Sequence, residues 1–301
     1  MKRDILIVGV NHETAPVEVR EQLAFSTDGA IEAGLRELAE KEEIDEAVIV
    51  STCNRVEIVA CTVEREAAFA GIEGFLSRDH QINAREIGAS LYRLRGREAV
   101  RHLFKVAASL DSMVIGEPQI LGQLKESYAI AAALGTSRAV LHRCFHRAFA
   151  VAKRVRRETA IAAKAVSVAS AAVELAQSIF EDLEGRTAML MGAGEMSLLT
   201  ARHLMGHGVR SFLVTNRTFN RAVELARECA GTPVPFDQFG NYLRVADLIV
   251  GAAGVGEHLL TRDTIREVLR ARKQAPIFLI DLAVPRCFAP DINELDNVYL
   301  Y

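Results

Sequence analysis

Apolar residues recur along this chain in two rhythms, and the rhythm changes twice. The runs "DILIVGV" (4–10), "EAVIVS" (46–51), "VEIVACT" (56–62) and "SLYRLR" (90–95) are short and rich in β-formers. Between them, "DGAIEAGLRELAEKEE" (28–43) and "EREAAFAGIEGFLSRDH" (64–80) repeat apolar residues at helical spacing. Strand-helix-strand-strand-helix-strand is the order of the split βαβ, ferredoxin-like arrangement. From 97 to about 181 the pattern predicts helices alone. "REAVRHLFKVAASL" and "GQLKESYAIAAAL" flank the break "DSMVIGEP", and "SRAVLHRCFHRAFAVAKRVRRET" and "SVASAAVELAQSIFEDL" follow. From 186 onward "TAMLM", "SFLVT", "ADLIVGAA" and "APIFLIDLA" alternate with helical stretches, which predicts a parallel sheet with crossover helices. The final "NVYLY" reads as one more strand. The expected fold class is α/β plus α+β. A ferredoxin-like N-terminal domain with appended helices spans 1–158, a connecting helix 159–184, and a Rossmann-like domain 185–301.

Length agrees with two domains, since 301 residues exceed one ordinary core. Half the residues are apolar and a quarter charged, with a formal charge of −3, so any nucleic acid must be met by a local basic patch. No apolar run approaches the ~20 residues that span a bilayer. The opening "MKRDILIVGVNHETAP" turns polar too soon for a signal peptide and is read as a strand. The cysteines at 53, 61, 144, 229 and 287 are odd in number and scattered, with no C-x-x-C pair. That predicts reduced thiols and a cytoplasmic protein, with neither a disulfide frame nor a zinc ribbon.

One chemical signature follows the "TAMLM" strand. Gly192, Ala193, Gly194, Glu195, Met196 and Ser197 open a helix there, as a dinucleotide-binding turn does. The first glycine permits the tight turn, and the second lets a pyrophosphate approach the amides at the helix N-terminus. Ser197 stands where a third glycine is usual. The next strand ends in Asn216, Arg217 and Thr218, with no carboxylate for a ribose 2′-hydroxyl. A guanidinium and a hydroxyl suit a 2′-phosphate, so the expected cofactor is NADPH.

Another signature is Cys53 in "VSTCNRVEIVACT", at a polar break between two strands. Behind a nicotinamide domain, such a cysteine suggests a thioester reductase: a thiolate attacks an acyl carbonyl and hydride then reduces the thioester. Arg55 is placed to lower the thiol pKa. Inert packing is the alternative for any one cysteine. His102 lies on a predicted helix beside Leu103, where structural and chemical roles both remain open. His142 and His146 share a helix face, but Cys144 points elsewhere and no fourth ligand is evident, so no metal is expected. The stretch 138–157 is dense in arginine and lysine, either a solvated face or a contact for a phosphate backbone.

Taken in order, "GVNHETAPVEVRE", "STCNR", "LDSMVIGEPQILGQ", "AKRVRRET", "GAGEM", "IDLAVPR" and "ELDNVYLY" resemble the glutamyl-tRNA reductase family, over nearly the whole chain. The resemblance implies NADPH-dependent reduction of glutamyl-tRNA(Glu) to glutamate-1-semialdehyde, the first step of five-carbon tetrapyrrole synthesis. It makes Cys53 the nucleophile and His102 a residue important for activity. Thr52, Asn54, Arg55, Ser112, Glu117, Pro118, Gln119 and Gln123 fall on substrate-site positions, with Arg55 a partner for the glutamate carboxylate. The partners it implies are the tRNA, glutamate-1-semialdehyde aminomutase and a second subunit. The expectation is that this sequence lacks the family's C-terminal dimerisation domain. Ser197, the turn 251–257 and Cys287 depart from the family pattern. A shikimate-dehydrogenase-like oxidoreductase and a non-catalytic tRNA- or nucleotide-binding protein are the competing readings.

Overall fold

The computed structural model describes all residues except 1–2, 26, 80–86, 114, 118, 163–167, 181 and 255–257. The chain divides into two compact units, 1–166 and 167–301. The helix expected as a connector, Val168–Phe180, groups with the second unit.

In the first unit, strands β1 (Asp4–Asn11), β2 (Glu46–Ser51), β3 (Arg55–Thr62) and β4 (Tyr92–Arg95) form one antiparallel sheet in the order β2-β3-β1-β4. That is the order of the split βαβ pattern, with the two inner strands buried along most of their length. Helix α1 (Val17–Leu23), a turn that the sequence patterning did not resolve, precedes α2 (Asp28–Ala39), and α3 (Arg65–Asp79) follows the β2–β3 hairpin. Thr27 caps α2, its side chain accepting from the Ala30 amide. Helices α4 (Arg97–Ala107), α5 (Gln119–Ala133) and α6 (Ala139–Glu158) are the appended layer. Glu46 at the start of β2 ties α6 to the sheet. Its buried carboxylate accepts from the amides of Arg138, Val140 and Leu141 at 2.9, 3.0 and 2.8 Å. A negative charge there satisfies amides that have no partner within the helix and complements the helix dipole.

The second unit begins with α7 (Val168–Phe180). It continues as β5 (Thr187–Met191), α8 (Glu195–Gly206), β6 (Ser211–Thr215), α9 (Phe219–Glu228) and β7 (Thr232–Val234). The remaining elements are β8 (Leu248–Gly251), α10 (Arg262–Ala271), β9 (Ile277–Asp281) and β10 (Val298–Leu300). The sheet is parallel throughout, in the order β10-β9-β8-β5-β6-β7. This is the doubly wound dinucleotide-binding order, whose reversal point lies between β5 and β8. Helix α10 is not among the helical stretches singled out in the sequence, although Thr261 caps it and Ile265, Val268 and Leu269 bury its inner face. Edge strand β7 was also missed, since three residues carry no usable periodicity.

A close approach in the first unit depends on glycine. Gly9 of β1 pairs with Glu57 of β3, and a Cβ at Gly9 would strike the Val56 carbonyl and lie 2.8 Å from Glu57 Cγ. Gly9→Ala should therefore cost about 1–3 kcal/mol of unfolding free energy in urea titrations. A variant as stable as the parent would show that the strands separate freely here.

Candidate active site

Cys53 and Asn54 form the turn between β2 and β3. Thr52 builds it: its amide donates to the Arg55 carbonyl at 2.9 Å, and its Oγ1 accepts from the amides of Asn54 and Arg55 at 3.3 and 3.2 Å. The Cys53 residue is half-buried at the turn, whereas Cys61 is buried inside β3. Arg20 of α1 clamps the turn, donating from Nη1 to the Cys53 carbonyl at 2.5 Å and from Nε to the Ala15 carbonyl at 3.3 Å. Nothing in the spacing of "VEVREQL" announces this contact, since it joins positions 33 residues apart.

Alternation along β3 points Arg55 and Glu57 to the same side, and both are buried, at 1% and 0% exposure. Arg55 Nη1 donates to Glu57 Oε1 at 2.6 Å and to Asp111 Oδ2 at 3.1 Å, and Nη2 donates to the Asp111 carbonyl. Tyr92 of β4 donates its hydroxyl to the same Glu57 oxygen at 2.6 Å, and His102 Nε2 of α4 lies 2.9 Å from it. Burial pushes the Glu57 carboxyl up, but Arg55, His102 and Tyr92 together outweigh it and hold it at about 2. An ionised carboxylate only accepts, so His102 Nε2 carries a proton and donates it. That leaves Nδ1, 3.8 Å from Asp111 Oδ2, as the nitrogen not engaged by Glu57. Arg55, expected as a partner for a substrate carboxylate, is paired here with Glu57 and Asp111, because a buried charge without a partner is prohibitively unfavourable. Sequence reasoning missed Glu57, Tyr92 and Asp111. An Arg-x-Glu pair inside an otherwise apolar strand was the signal available for the first.

The loop after α4 reaches back over the turn. Ser109 and Gly116 take positive φ values of 57° and 86°, and the Gly116 amide donates to the Ser109 carbonyl at 2.9 Å. Ser109 Oγ donates to the Glu117 carbonyl at 2.6 Å. The loop thereby delivers Ser112 and Glu117, and the first turns of α5 deliver Gln119 and Gln123. All four line a cavity of about 20 Å³ with Thr52, Cys53, Asn54 and Arg55. Pro118 lies outside the described residues. His102 does not line this cavity; it meets Glu57 and Asp111, which bond the lining residue Arg55. Three lining residues hold buried polar atoms with no partner: Arg55 Nε, Ser112 Oγ and Gln119 Nε2. Such groups are rare in native proteins and mark where a ligand or water completes the bonding.

The thiol is not depressed as the sequence suggested. Burial first, and Glu117 second, push the Cys53 thiol up to about 11, while Arg20, a backbone amide and Arg55 oppose them. Arg20 outranks Arg55 among those cations.

In the second unit, Gly192 adopts φ 110°, and a Cβ there would meet the Ala252 backbone at 2.9 Å, so only glycine lets the β5 turn cross the end of β8. A Cβ at Gly194 would meet nothing within 4 Å, and no side chain caps α8, leaving its first amides facing open space. Ser197 is fully buried with its Oγ unpartnered, so the small side chain is accommodated at the third-glycine position. Asn216 bonds locally: Oδ1 accepts from the Ala193 amide at 3.2 Å and Nδ2 donates to the Thr218 carbonyl at 3.0 Å. Arg217 and Thr218 are exposed, as are Gly194 and Glu195. Free space over uncapped helix amides, with a guanidinium at the end of β6, fits a dinucleotide. Cys287 is buried and donates to Asp281 at 3.3 Å, below the β8 end. Residues 255–257 of the divergent turn lie outside the described residues. Among the described residues no group of three or more His, Cys, Asp or Glu could hold a metal ion, and no helix is long and apolar enough to cross a membrane.

Comparison with known proteins agrees with this division. A family model described as glutamyl-tRNAGlu reductase, N-terminal domain, matches residues 8–159. One described as shikimate / quinate 5-dehydrogenase matches residues 174–301. Glutamyl-tRNA reductase of Syntrophotalea carbinolica is 49% identical over 300 residues, covering 99% of this chain and 67% of that protein. The chain belongs to the glutamyl-tRNA reductase family. The Solibacter usitatus member is 50% identical over 297 residues, covering 99% of this chain and 70% of its own length. The solved glutamyl-tRNA reductase from Methanopyrus kandleri aligns with 98% of this chain and 70% of its own, at 37% identity and a TM-score of 0.50. Family membership makes the second unit a dinucleotide-binding oxidoreductase domain.

A buried thiol held near 11 alkylates through its thiolate. In this family member, site-resolved iodoacetamide labelling of Cys53 should rise about tenfold per pH unit between about pH 7 and pH 10. Arg20→Gln should slow it further across that range. A plateau below about pH 9 in the parent would show that the thiol ionises more readily than its surroundings imply.

Proposed function

We propose that the chain reduces glutamyl-tRNA(Glu) to glutamate-1-semialdehyde through a thioester on Cys53, using NADPH. The observation that carries this reading is the set of unpartnered buried polar atoms of Arg55, Ser112 and Gln119 on the cavity that also exposes Cys53. Cys53 sulfur attacks the ester carbonyl carbon, a C–S bond forms, and the C–O bond to the tRNA terminal ribose breaks. The thiol proton is balanced by the proton taken up by the departing ribose oxygen. His102, anchored through Nε2, offers Nδ1 for that transfer. Bound NADPH would supply a hydride to the thioester carbonyl carbon; the C–S bond would then break to give the aldehyde and the Cys53 thiolate, which takes a proton from solvent to restore the thiol.

A cavity of about 20 Å³ holds roughly one water and not a glutamyl group. Substrate entry therefore displaces the Ser109–Gly116 loop. As Asp111 leaves Arg55 with that loop, the glutamate carboxylate takes its place on the same guanidinium, so the buried charge stays paired. Thr52, Asn54, Glu117, Gln119 and Gln123 surround the acyl chain. In the second unit, the Gly192–Ser197 turn takes the pyrophosphate, and Asn216, Arg217 and Thr218 form the pocket for the 2′-phosphate.

Mixing the protein with glutamyl-tRNA and no reductant should leave a glutamyl adduct on Cys53, visible by mass spectrometry. Cys53→Ser should yield neither adduct nor semialdehyde, because a hydroxyl is hardly ionised at neutral pH. Reduction at the parent rate by this variant would sink the thioester route and favour direct hydride transfer to a substrate.

Arg217→Ala should weaken NADPH binding by roughly tenfold to a hundredfold and leave NADH little changed, since only the former carries the 2′-phosphate. Equal losses for both cofactors in fluorescence titrations would remove Arg217 from that pocket.

A further inference from the structure

The outer face of α6 is not accounted for by the active site. Its inner face, Leu141, Cys144, Phe145, Ala148, Phe149 and Ala152, is buried in the first unit. The opposite face exposes His142, Arg143, His146, Arg147, Lys153 and Arg154. No acidic residue interrupts the helix until Glu158. Glu158 holds Arg154 and Arg157 at 3.2 and 3.1 Å. Arg143 and Arg147, one turn apart, have no carboxylate partner among the described residues. Two like charges at this spacing repel, so each guanidinium is an unmet demand for an anion.

The surface around them is built in advance. Tyr128 of α5 hydrogen-bonds His142 Nδ1, and its ring meets His146 edge-on at 5.4 Å between centroids. The His142 and His146 rings lie 4.2 Å apart. Glu46 pins the N-terminus of the same helix. Ala139 and Ala150 leave the ends of the patch low, and with the two histidines and two arginines they line an open groove of about 570 Å³. A shallow basic groove, with flat rings packed beside exposed guanidinium groups, matches a sugar-phosphate backbone. Arginines reach phosphate oxygens, and imidazoles lie against ribose or base.

We infer that the Arg143–Arg147 face of α6 is a docking surface for the phosphate backbone of the tRNA. This deepens the proposed function and rests on tRNA being the substrate carrier. It also explains how a chain of net charge −3 holds a polyanion: the positive charge is concentrated on one pinned helix.

Arg143→Glu with Arg147→Glu tests it on the whole chain, with tRNA(Glu) binding measured at several salt concentrations. Two lost phosphate contacts should lower the log–log salt slope by about 1.4–1.8 and weaken binding at least about tenfold near 0.1 M salt. Reversing Arg36 and Arg270 instead, both exposed and on other helices, should leave the slope unchanged. The thermal unfolding midpoint of each variant checks that it is folded, and Arg143→Lys with Arg147→Lys should restore most of the slope. A parent-like slope in the charge-reversed double variant overturns the inference and gives the groove to a protein partner or to solvent. An equal loss in the Arg36 and Arg270 control also overturns it, since net charge alone would then suffice. If the parent binds no tRNA and forms no glutamyl adduct, the functional reading itself falls. If the parent does both and only the slope test fails, the docking surface alone falls.

Discussion

The buried pair of Arg55 and Glu57 is the constraint on which the catalytic unit depends. Two charges inside a strand are costly to desolvate, and removing one partner from such a pair typically costs about 3–5 kcal/mol. Here the cost is offset by convergence. Arg55, Tyr92 and His102 all meet one oxygen of Glu57, from β3, β4 and α4. Gly9 leaves the space for the Glu57 stem. Satisfying one carboxylate thus fixes three elements at once, and the hairpin turn carrying Cys53 sits at the end of the same strand. Chemistry and stability are joined there, because any shift of β3 moves both the pair and the thiol.

That arrangement separates two tasks. Glu57 orients His102 and fixes which of its nitrogens carries the bonded proton, while Arg20 and Glu117 set the electrostatics of the thiol from opposite signs. The Cys53 thiol is protonated near neutral pH, and a protonated thiol reacts slowly. After α4, Ser112 lines the cavity and Asp111 bonds Arg55. A substrate carrying a carboxylate and an ester can replace those contacts in kind, whereas an apolar molecule cannot. Selectivity in this picture comes from the requirement that every buried charge stay paired.

The fold was largely legible because period-2 and period-3.6 patterns report which face of an element is buried, whatever it is buried against. The four strands of the first unit and the alternating elements of the second were readable for that reason. Helix α10 was missed, although its cap and apolar spacing were present, and β7 was too short to have a period. Cys53 was legible as a residue at a polar break. Arg55 was legible as a charge but not as a paired one: its partners lie at 57 and 111, and only the second is distant in sequence. Arg20 was illegible, since a guanidinium in a short helix looks solvated until the turn it clamps is known.

By itself, the sequence determined the order of most elements, the glycine turn at 192–194, the thiol at a hairpin turn and the basic face of one helix. These follow from local periodicity and residue type, which tertiary contacts do not alter. Only the tertiary structure decided the thiol's protonation, the closing of Arg55 by Asp111, the proton placement on His102 and the burial of Ser197. Each of these is a matter of which charges and apolar groups surround an atom. Desolvation and Coulomb energies depend on distance in space, and neighbours 30 to 60 residues apart in the chain are set only when it folds.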